Sequence, residues 1–469
     1  MSKQISNFDR ELNAFKSPKT ANNSDCGLRR ARARRGAGLL SIALIAALHA
    51  GPAYAAENDA VRVWNERAVV TLTNGNTAAT PGTMFPPPVA FIHLAIVQGA
   101  VYDAVNAIKG GHAPYLKGLK APTSASKGAA ASTAAHHVLI GLVNQAPLTA
   151  TLTADVKAAI KARLDAEYES SLAEVPAGPA KAKGIAVGAA AAAAMLANRA
   201  ADGRFGAAGF PVPAVPGPGE WRPSPGNDPN AWVRSVRPFA LPSPEHFHTS
   251  GPLALTSAQY AVEFNEVKAL GRATGSTRTE AQTALANWST TNPVVMLYPA
   301  LRQVAASKGL TITEQARFHA MTSMAGADSL INCWAEKAHW GFWRPVTAIQ
   351  LADTDGNDAT EADAAWASLG ALPPYSDEPS GANCVYSGVM NSAKAFFGND
   401  AAEFDITTRH YSSFTAVIPD VIEARILLGI HFRRADVNGA ELGRRVAEFV
   451  DANLFNCRPP GQCKQEGRE

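Results

Sequence analysis

The chain has 469 residues, of which 46% are hydrophobic, so it can bury one large core or two to three ordinary ones and is not disordered overall. Its net charge of +3 comes from the N-terminus, where residues 1–55 hold nine of the 43 Lys and Arg but three of the 40 Asp and Glu. The remainder is close to neutral and has no basic stripe, which excludes a nucleic-acid surface.

The first 55 residues have the pattern of a signal peptide. Five arginines between positions 29 and 35 precede the apolar run Gly36–Leu48, and Ala53-Tyr54-Ala55 supplies small residues for a signal peptidase. The run is shorter than the ~20 residues that cross a bilayer. We therefore expect cleavage near Ala55 and a periplasmic or extracellular protein without a stable membrane span. Sec and twin-arginine export both remain open.

The cysteines are compatible with export. Cys457 and Cys463 bracket a short polar loop and are spaced to form a disulfide in an oxidising compartment. Cys333 and Cys384 either pair or remain thiols, and buried thiols are the preferred interpretation. No cysteine and histidine spacing is typical of zinc binding.

The pattern after the signal peptide predicts a helical N-terminal region, residues 56–202. Apolar residues recur at helical spacing, and alanine is dense near the end of the region, which favours close helix packing. The predicted helices span 61–72, 88–108, 125–144, 152–171 and 180–201.

Residues 203–256 change character, with many Pro and Gly residues and no helical period. So long a loop is unusual inside a compact domain. It either links two halves of the protein or folds over a surface, and its Phe239, Leu241 and Phe247 favour a packed excursion.

Helical patterns return in residues 257–469, which we interpret as a C-terminal helical domain. The predicted helices span 257–272, 277–287, 293–308, 313–343, 387–397, 401–405, 418–428 and 439–453. Strands with period-two alternation are missing. The sequence therefore predicts an all-α protein built from two helical bundles.

Three short segments of the C-terminal domain could surround one anion. In the first, Lys337 and Arg344 are seven residues apart, which on one helix places both on a single stripe two turns apart. Pro345 is then expected to end that helix, because the residue before a proline disfavours helical geometry. Two charges alone would more often be an ordinary basic stripe.

The other two segments add a helix start and a second basic pair. Pro379-Ser380-Gly381 precedes a helical run, so it can offer a hydroxyl group and free N–H groups to an anion. Arg425 and His431 are six residues apart and can share a ligand only if the helix breaks between them, for which Gly429 is well placed. Each segment alone is weak evidence.

Together, the order Lys-x6-Arg-Pro, Pro-Ser-Gly and Arg-x5-His resembles the signature of one superfamily. It joins type-2 phosphatidic acid phosphatases, soluble bacterial acid phosphatases and vanadium-dependent haloperoxidases. The match covers residues 337–436. The export signal, the long helical N-terminal half and the continuation HFRRAD are most similar to the secreted bacterial haloperoxidase-like branch.

The resemblance implies a role for each motif residue. The oxygens of vanadate or phosphate would be bound by Lys337, Arg344, Arg425, Ser380 and the Gly381 N–H. His431 would be the catalytic residue, bonded to vanadium in a haloperoxidase or attacking phosphorus in a phosphatase. The implied substrates are hydrogen peroxide and halide with a vanadate cofactor, or a phosphomonoester with no cofactor.

The sequence departs from the family pattern at three places. The general acid/base histidine expected after Pro-Ser-Gly is Ala382, and such groups contribute roughly 10²–10⁴-fold to a rate. Ala424 replaces a serine before the arginine of the third motif. The aspartate expected four residues after His431 is shifted to Asp436, with Ala435 in its place, which leaves the orientation of the histidine open.

Three further residues are candidates for the surrounding pocket. Trp340 and Trp343 could form an apolar wall for a halide or substrate, or could equally pack in the core at a helix end. Asn383 could donate a hydrogen bond but cannot shuttle a proton at neutral pH. The departures keep three functions open: a haloperoxidase, an acid phosphatase acting through a phosphohistidine, and a catalytically degenerate oxyanion-binding protein.

Overall fold

A computed structural model describes residues 52–75, 80–145, 152–206, 209–224 and 226–458. In these ranges the chain forms thirteen α-helices and one antiparallel pair of strands, so the all-α prediction is confirmed. Most of the predicted signal peptide lies outside the described residues, and so does Cys463. Cys457 is disulfide-bonded, and Cys333 and Cys384 are free and buried as predicted.

The N-terminal helices are α1 (Pro52–Thr73), α2 (Pro87–Lys109), α3 (Lys127–Asn144), α4 (Ala154–Ala173) and α5 (Pro179–Asn198). The C-terminal helices are α6 (Ala258–Leu270), α7 (Glu280–Trp288), α8 (Pro293–Ser307), α9 (Ile312–Trp340), α10 (Pro345–Gln350), α11 (Gly381–Phe397), α12 (Val417–Leu427) and α13 (Arg433–Asn453). The strands are β1 (Ala401–Ile406) and β2 (Arg409–Ser413).

Two described helices, α2 and α5, are long and apolar enough to cross a membrane by length and composition. The apolar window of α2 is wholly buried inside the fold, and that of α5 is one-third buried. α2 packs against α9 of the C-terminal half, and the main hydrophobic core includes residues from both helices. The apolar character of α2 is therefore explained by its place in the core.

α9 is the longest described helix, with 29 residues, and it packs against α2, α11 and α13. Its start is fixed by a capping box, in which the Thr311 side chain accepts from the Glu314 N–H and the Glu314 side chain accepts from the Thr311 N–H. This helix carries Lys337 in its last turn. The position of the candidate site therefore depends on α9.

The Pro- and Gly-rich excursion is attached along one face of α9. Asp328 accepts hydrogen bonds from three consecutive backbone N–H groups, residues 239–241. One turn further, Asn332 accepts from the Phe247 N–H through Oδ1 and donates to the Phe247 carbonyl oxygen through Nδ2. On the following turn, Glu336 accepts from the Thr249 N–H. The spacing i, i+4, i+8 places these polar groups on one stripe, so the excursion is fixed to the helix by its backbone.

Two local predictions are wrong. Residues 401–405 form a strand rather than a helix, with an exposed and buried alternation that six residues were too few to reveal. α9 also ends at Trp340, because Gly341 takes up left-handed geometry and its N–H bonds the Lys337 carbonyl oxygen. Pro345 begins α10 instead of ending α9, as proline is well tolerated in the first turn of a helix.

α11 and α13 approach each other closely through glycine. A Cβ atom on Gly443 would overlap the Cys384 carbonyl oxygen and the Gly388 nitrogen, which are both backbone atoms of α11. A Cβ atom on Gly439 would meet the Ser380 carbonyl oxygen at the start of α11. These two glycines therefore set the distance between α13 and the Pro-Ser-Gly segment.

We expect Gly443→Ala to lower the free energy of unfolding by about 1–3 kcal/mol or more, because backbone atoms cannot move aside as a side chain can. Gly99→Ala in α2 is the matched control, since its Cβ would meet only the flexible ends of Met324 and Met195. We expect the control to change stability by less than about 1 kcal/mol. Urea unfolding of both variants measures the difference, and equal effects would contradict the role given to Gly443.

Candidate oxyanion-binding site

The three motif segments converge in the structure. Lys337 lies in the last turn of α9, Arg344 is the N-cap residue of α10, and Ser380 is the N-cap residue of α11. Arg425 lies in the last turn of α12, and Gly429, with φ of 74°, separates it from His431 in the loop before α13. The predicted helix break at Gly429 is thus present.

Lys337 is fully buried, yet its ammonium group makes no ion pair within 4 Å. Nζ donates to the carbonyl oxygens of Ser376 and Asp377 at 2.8 and 3.0 Å, which leaves one of its three hydrogens available. Burial, the largest effect, lowers the pKa of Lys337 to about 8, and the neighbouring Arg344 acts in the same direction. A negatively charged ligand would oppose both effects.

Arg344 reaches the same site by a route that differs from the predicted helical stripe. Its backbone is extended, and its guanidinium group is held by the Tyr375 carbonyl oxygen through Nε and by the Ile430 carbonyl oxygen through Nη1. Nη2 is buried and has no hydrogen-bond partner. The carbonyl contacts therefore fix the orientation of the group while one N–H₂ group stays available.

His431 is oriented by a carboxylate that the sequence pattern did not indicate. Its Nδ1 lies 2.7 Å from Asp377 Oδ1, and its Nε2 lies 3.1 Å from Arg344 Nη1. Burial lowers the pKa of His431 well below its ordinary value, with Arg344, Lys337 and Arg425 adding to the effect. In the neutral tautomer that donates from Nδ1 to Asp377, the Nε2 lone pair accepts from Arg344 Nη1, and a ligand at Nε2 would replace that contact.

Asp377 is itself strongly perturbed. Burial, the largest effect, raises its pKa to about 7, and Arg344 and Lys337 oppose the rise. Asp377 and His431 are both buried and in direct contact, so a change in the protonation of one affects the other.

Free hydrogen-bond donors remain on several sides of this cluster. Arg425 Nε is buried without a partner, and Nη1 makes one long contact of 3.4 Å to the Ser289 carbonyl oxygen. The N–H groups of Gly381 and Ala382 head α11 and have no backbone acceptor, as is usual in a first helical turn. Unpaired buried donors are costly unless a ligand or water binds them.

Asn383 connects the Pro-Ser-Gly segment to α13. Its Nδ2 donates to Asp436 Oδ1 at 2.7 Å and lies 3.3 Å from Ser380 Oγ. Asn383 Oδ1 and Asp436 Oδ2 are buried and have no partner. The shifted aspartate therefore contacts the start of α11, while Asp377 orients the histidine.

Behind the site, two buried carboxyl groups share one hydroxyl. Thr249 Oγ1 lies 3.1 Å from both Glu336 Oε2 and Glu378 Oε1, and Asn438 Nδ2 donates to Glu378 at 2.7 Å. A threonine hydroxyl has one hydrogen, so the two carboxyl groups share a single donor. Burial raises the pKa of Glu378 well above its ordinary value.

The aromatic residues divide between the site and the core. Tyr375 lies over Lys337 Nζ and the Arg344 guanidinium group, at 4.8 and 5.1 Å from its ring centre. Trp343 is fully buried in a second hydrophobic cluster, and Trp340 donates to Thr249 and Glu336. The pocket role of the two tryptophans stays a prediction.

Sequence reasoning missed Asp377, Tyr375 and the contacts of Asp436. One signal was available, since Asp377 and Glu378 directly precede Pro379 and paired acidic residues beside a basic cluster favour ion pairing. The distance in sequence between Asp377 and His431 gave no reason to connect them. Their contact arises only from the tertiary fold.

Comparison with protein-family models matches the C-terminal part of the chain. Residues 317–457 match a family model described as the VCPO second helical-bundle domain. No curated protein matches the chain.

Three solved structures have a similar fold. The first described bacterial vanadium-dependent iodoperoxidase has a TM-score of 0.63 and 20% identity, over 85% of this chain and 97% of that one. An apo-type bacterial vanadium-dependent chloroperoxidase has a TM-score of 0.61 and 14% identity, over 79% and 95%. A holo-type bacterial vanadium-dependent chloroperoxidase has a TM-score of 0.63 and 16% identity, over 83% and 95%.

The lowered pKa of Lys337 predicts a pH limit for anion binding. Below pH 8 the ammonium form prevails and affinity is full. Above it, affinity falls by up to about tenfold per pH unit as the proton is lost. Lys337→Arg stays charged across this range, so its affinity relative to the wild type should rise above pH 8. Titration calorimetry with phosphate at several pH values measures the ratio, and a constant ratio would contradict the assignment.

Proposed function

We propose that this chain, whose residues 317–457 match the model of the VCPO second helical-bundle domain, belongs to the superfamily of type-2 phosphatidic acid phosphatases and vanadium haloperoxidases, binds vanadate and acts as a haloperoxidase-like enzyme. The observation that carries the proposal is a pair of buried guanidinium groups, Arg344 and Arg425, each with an unpaired N–H group. They come from separate segments, and the pKa of Arg344 is lowered first by burial and further by the charge of Arg425.

The residues present fit a tetrahedral oxyanion. Arg344 Nη2, Arg425 Nε, the third hydrogen of Lys337 and the first N–H groups of α11 are all available as donors. Gly381 has little space for a side chain, because a Cβ atom there would lie 3.0 Å from the Trp334 ring, which would have to shift slightly. Charged donors around a buried site are the arrangement that binds oxyanions most strongly.

Vanadate bound in such a site supplies the activation of hydrogen peroxide that oxidises a halide to a hypohalous species. The chain's own residues hold and orient it. Lys337, Arg344 and Arg425 would neutralise its oxygens, and His431 would present Nε2 to the vanadium while Asp377 accepts from Nδ1. Burial of the cluster excludes bulk water and strengthens each of these interactions.

The contact between His431 and Asp377 also supports a second candidate, a phosphomonoesterase. A neutral imidazole whose Nδ1 is held by a carboxylate is arranged to attack phosphorus through Nε2. The bond from phosphorus to the leaving oxygen would break as the phosphohistidine forms, and water would then hydrolyse it. The leaving oxygen needs a proton, which Ala382 cannot supply.

Ala382 motivates the third candidate, an oxyanion-binding protein without turnover. The residue is half-buried in the first turn of α11, where the N–H group is present but no titratable side chain is. Binding and turnover are therefore separate properties in this protein. Each needs its own test.

We expect purified mature protein to oxidise bromide with hydrogen peroxide only after vanadate is added. Arg344→Ala should weaken vanadate binding by about 10²-fold or more, because a buried charged hydrogen-bond donor is lost. Arg409→Ala is the control, as this arginine pairs with Asp420 at the surface. Calorimetry gives the affinities, and unchanged vanadate binding in Arg344→Ala would refute the proposed site. Vanadate-inhibited hydrolysis of an aryl phosphate would favour the second candidate.

Ala382→His should restore the missing acid/base group and raise whichever turnover the wild type shows by about 10²–10⁴-fold. The readout is kcat for bromide oxidation and for aryl phosphate hydrolysis, with vanadate affinity measured in parallel. Ala382→Gln, similar in size but unable to titrate near neutral pH, is the control. Equal rates in both variants would show that proton transfer at residue 382 is not what limits turnover.

A further inference from the structure

Two thiol groups lie beside residues that we assign to the oxyanion site. Cys333 is one turn before Lys337 on α9, and Cys384 is one turn after Ser380 on α11. Both cysteines are fully buried and neither forms a disulfide in this structure. The chemistry proposed above uses neither of them. An oxidising compartment, which the signal-peptide pattern predicts for this chain, favours disulfides between neighbouring thiols.

The packing of α9 against α11 places the two cysteines opposite each other. Gly381 at the start of α11 contacts Cys333 near the end of α9, whereas Gly388 further along α11 contacts Ser329, so the helices run antiparallel. A Cβ atom built on Gly388 would be 3.1 Å from the Ser329 Cβ. Cys333 follows Ser329 by one turn and Cys384 precedes Gly388 by one turn. The same face of each helix therefore carries both pairs.

The two thiol groups are in contact. Cys333 Sγ lies 3.7 Å from the Pro379 carbonyl oxygen and 3.9 Å from a Cβ atom built on Gly381, which places the sulfur against the start of α11. The side chain of Cys384, in the first turn of α11, is hydrogen-bonded to that of Cys333. A disulfide requires Cβ atoms about 3.5–4.5 Å apart. Helices packed this closely can be joined by a small movement.

The surroundings of the pair select for a small oxidant. Burial raises the pKa of the Cys384 thiol well above its ordinary value, the contact with Cys333 acts in the same direction, and Lys337 opposes both. The thiolate is the reactive form of cysteine, so the pair reacts slowly with general oxidants. Hydrogen peroxide is uncharged and close to water in size, which allows it to enter a buried site that larger reagents do not reach.

We propose that Cys333 and Cys384 form a peroxide-sensitive disulfide that joins α9 to α11 and weakens the binding of the oxyanion. The proposal rests on the proposed function for two points. Hydrogen peroxide, the oxidant, is the co-substrate of a haloperoxidase, and Lys337 and Ser380 are taken as ligands of the anion. Each of these ligands lies one turn from the new bond.

The oxidation balances in two steps. The sulfur of one cysteine attacks an oxygen of hydrogen peroxide, the O–O bond breaks, and one water leaves with the thiol proton to give a sulfenic acid. The sulfur of the second cysteine then attacks the sulfenic sulfur, the S–O bond breaks, the S–S bond forms, and a second water leaves. The two sulfur atoms together lose two electrons, and the peroxide gains two.

The new bond changes the site because it shortens a contact. An S–S bond is about 2.05 Å long, shorter than any contact between two unbonded thiols. Its formation draws the last turns of α9 and the first turn of α11 toward each other, and the donors of both helices move with them. Couplings between two sites are typically about 5–150-fold in affinity, and they are reciprocal. A bound anion therefore disfavours the disulfide by the same factor.

Peptide analysis tests the disulfide. Mature protein is reduced with a dithiol, treated with hydrogen peroxide in the absence of vanadate, and digested after the remaining thiols are alkylated. We expect a linked peptide that contains Cys333 and Cys384 in the wild type, and none in Cys333→Ala or Cys384→Ala. Ser329→Ala alters the same helix contact but keeps both thiols, so it should form the link. Thiols that remain open to alkylation, or that oxidise further without linking, would overturn the proposal.

Phosphate affinity tests the coupling. Calorimetry on the reduced and the oxidised wild type should show phosphate binding that is about 5-fold or more weaker in the oxidised form, and saturating phosphate should lower the yield of linked peptide. Cys384→Ala should bind equally in both states, which controls for the disulfide of Cys457 and for methionine oxidation. Equal affinities in the two wild-type states would contradict the coupling. If neither state binds phosphate or vanadate, the proposed function fails, while the linked peptide decides the disulfide on its own.

Discussion

Three basic side chains buried in one cluster impose the main electrostatic constraint on this fold. Burial lowers the pKa values of Lys337, Arg344 and Arg425, and the two aspartates that interact with them, Asp377 and Asp436, both have raised pKa values. A buried charge is tolerated when it is paired or fully hydrogen-bonded. Here the backbone carbonyl oxygens of residues 375–377 and 430 do part of this work. The positive charge that these carbonyl oxygens leave uncompensated favours the binding of an anion.

The architecture around the cluster serves to hold those carbonyl groups in place. α9 carries Lys337 and also binds the excursion through Asp328, Asn332 and Glu336. The excursion in turn reaches the loop before α11 through Thr249 and Glu378. α13 is brought against the same loop by its glycines. Each element that surrounds the site is thereby fixed to at least one other element, and the donors are oriented before any ligand binds.

The motifs predicted that Lys337 and Arg344 would lie close together, but they did not predict the backbone geometry that brings these residues there. The convergence of Lys337 and Arg344 was expected from a shared helical stripe, yet Gly341 ends the helix and Arg344 arrives from the next element. Composition does not distinguish a glycine within a helix from one that ends it. The break at Gly429 was predictable because the shared ligand required it. That requirement came from the motif and not from local propensity.

The sequence did not predict the contacts that hold the site residues in position. Asp377 and His431 are 54 residues apart, and Asn383 and Asp436 are 53 apart, so their pairing depends on how α11, α12 and α13 pack. The helical core itself followed from apolar periodicity, which extends over whole helices. The strand pair at residues 401–413 was not predicted, because its alternation of exposed and buried residues is too short to distinguish from one turn of a helix.

We propose that segments far apart in sequence form one site for a single oxyanion. A crystal structure of the mature protein grown with vanadate tests it most directly. We expect density for one anion beside His431 Nε2, within hydrogen-bond distance of Arg344 Nη2, Arg425 Nε and Ser380 Oγ. An anion bound elsewhere, or the same cluster with Arg344 and Arg425 turned toward different partners and no anion between them, would contradict it.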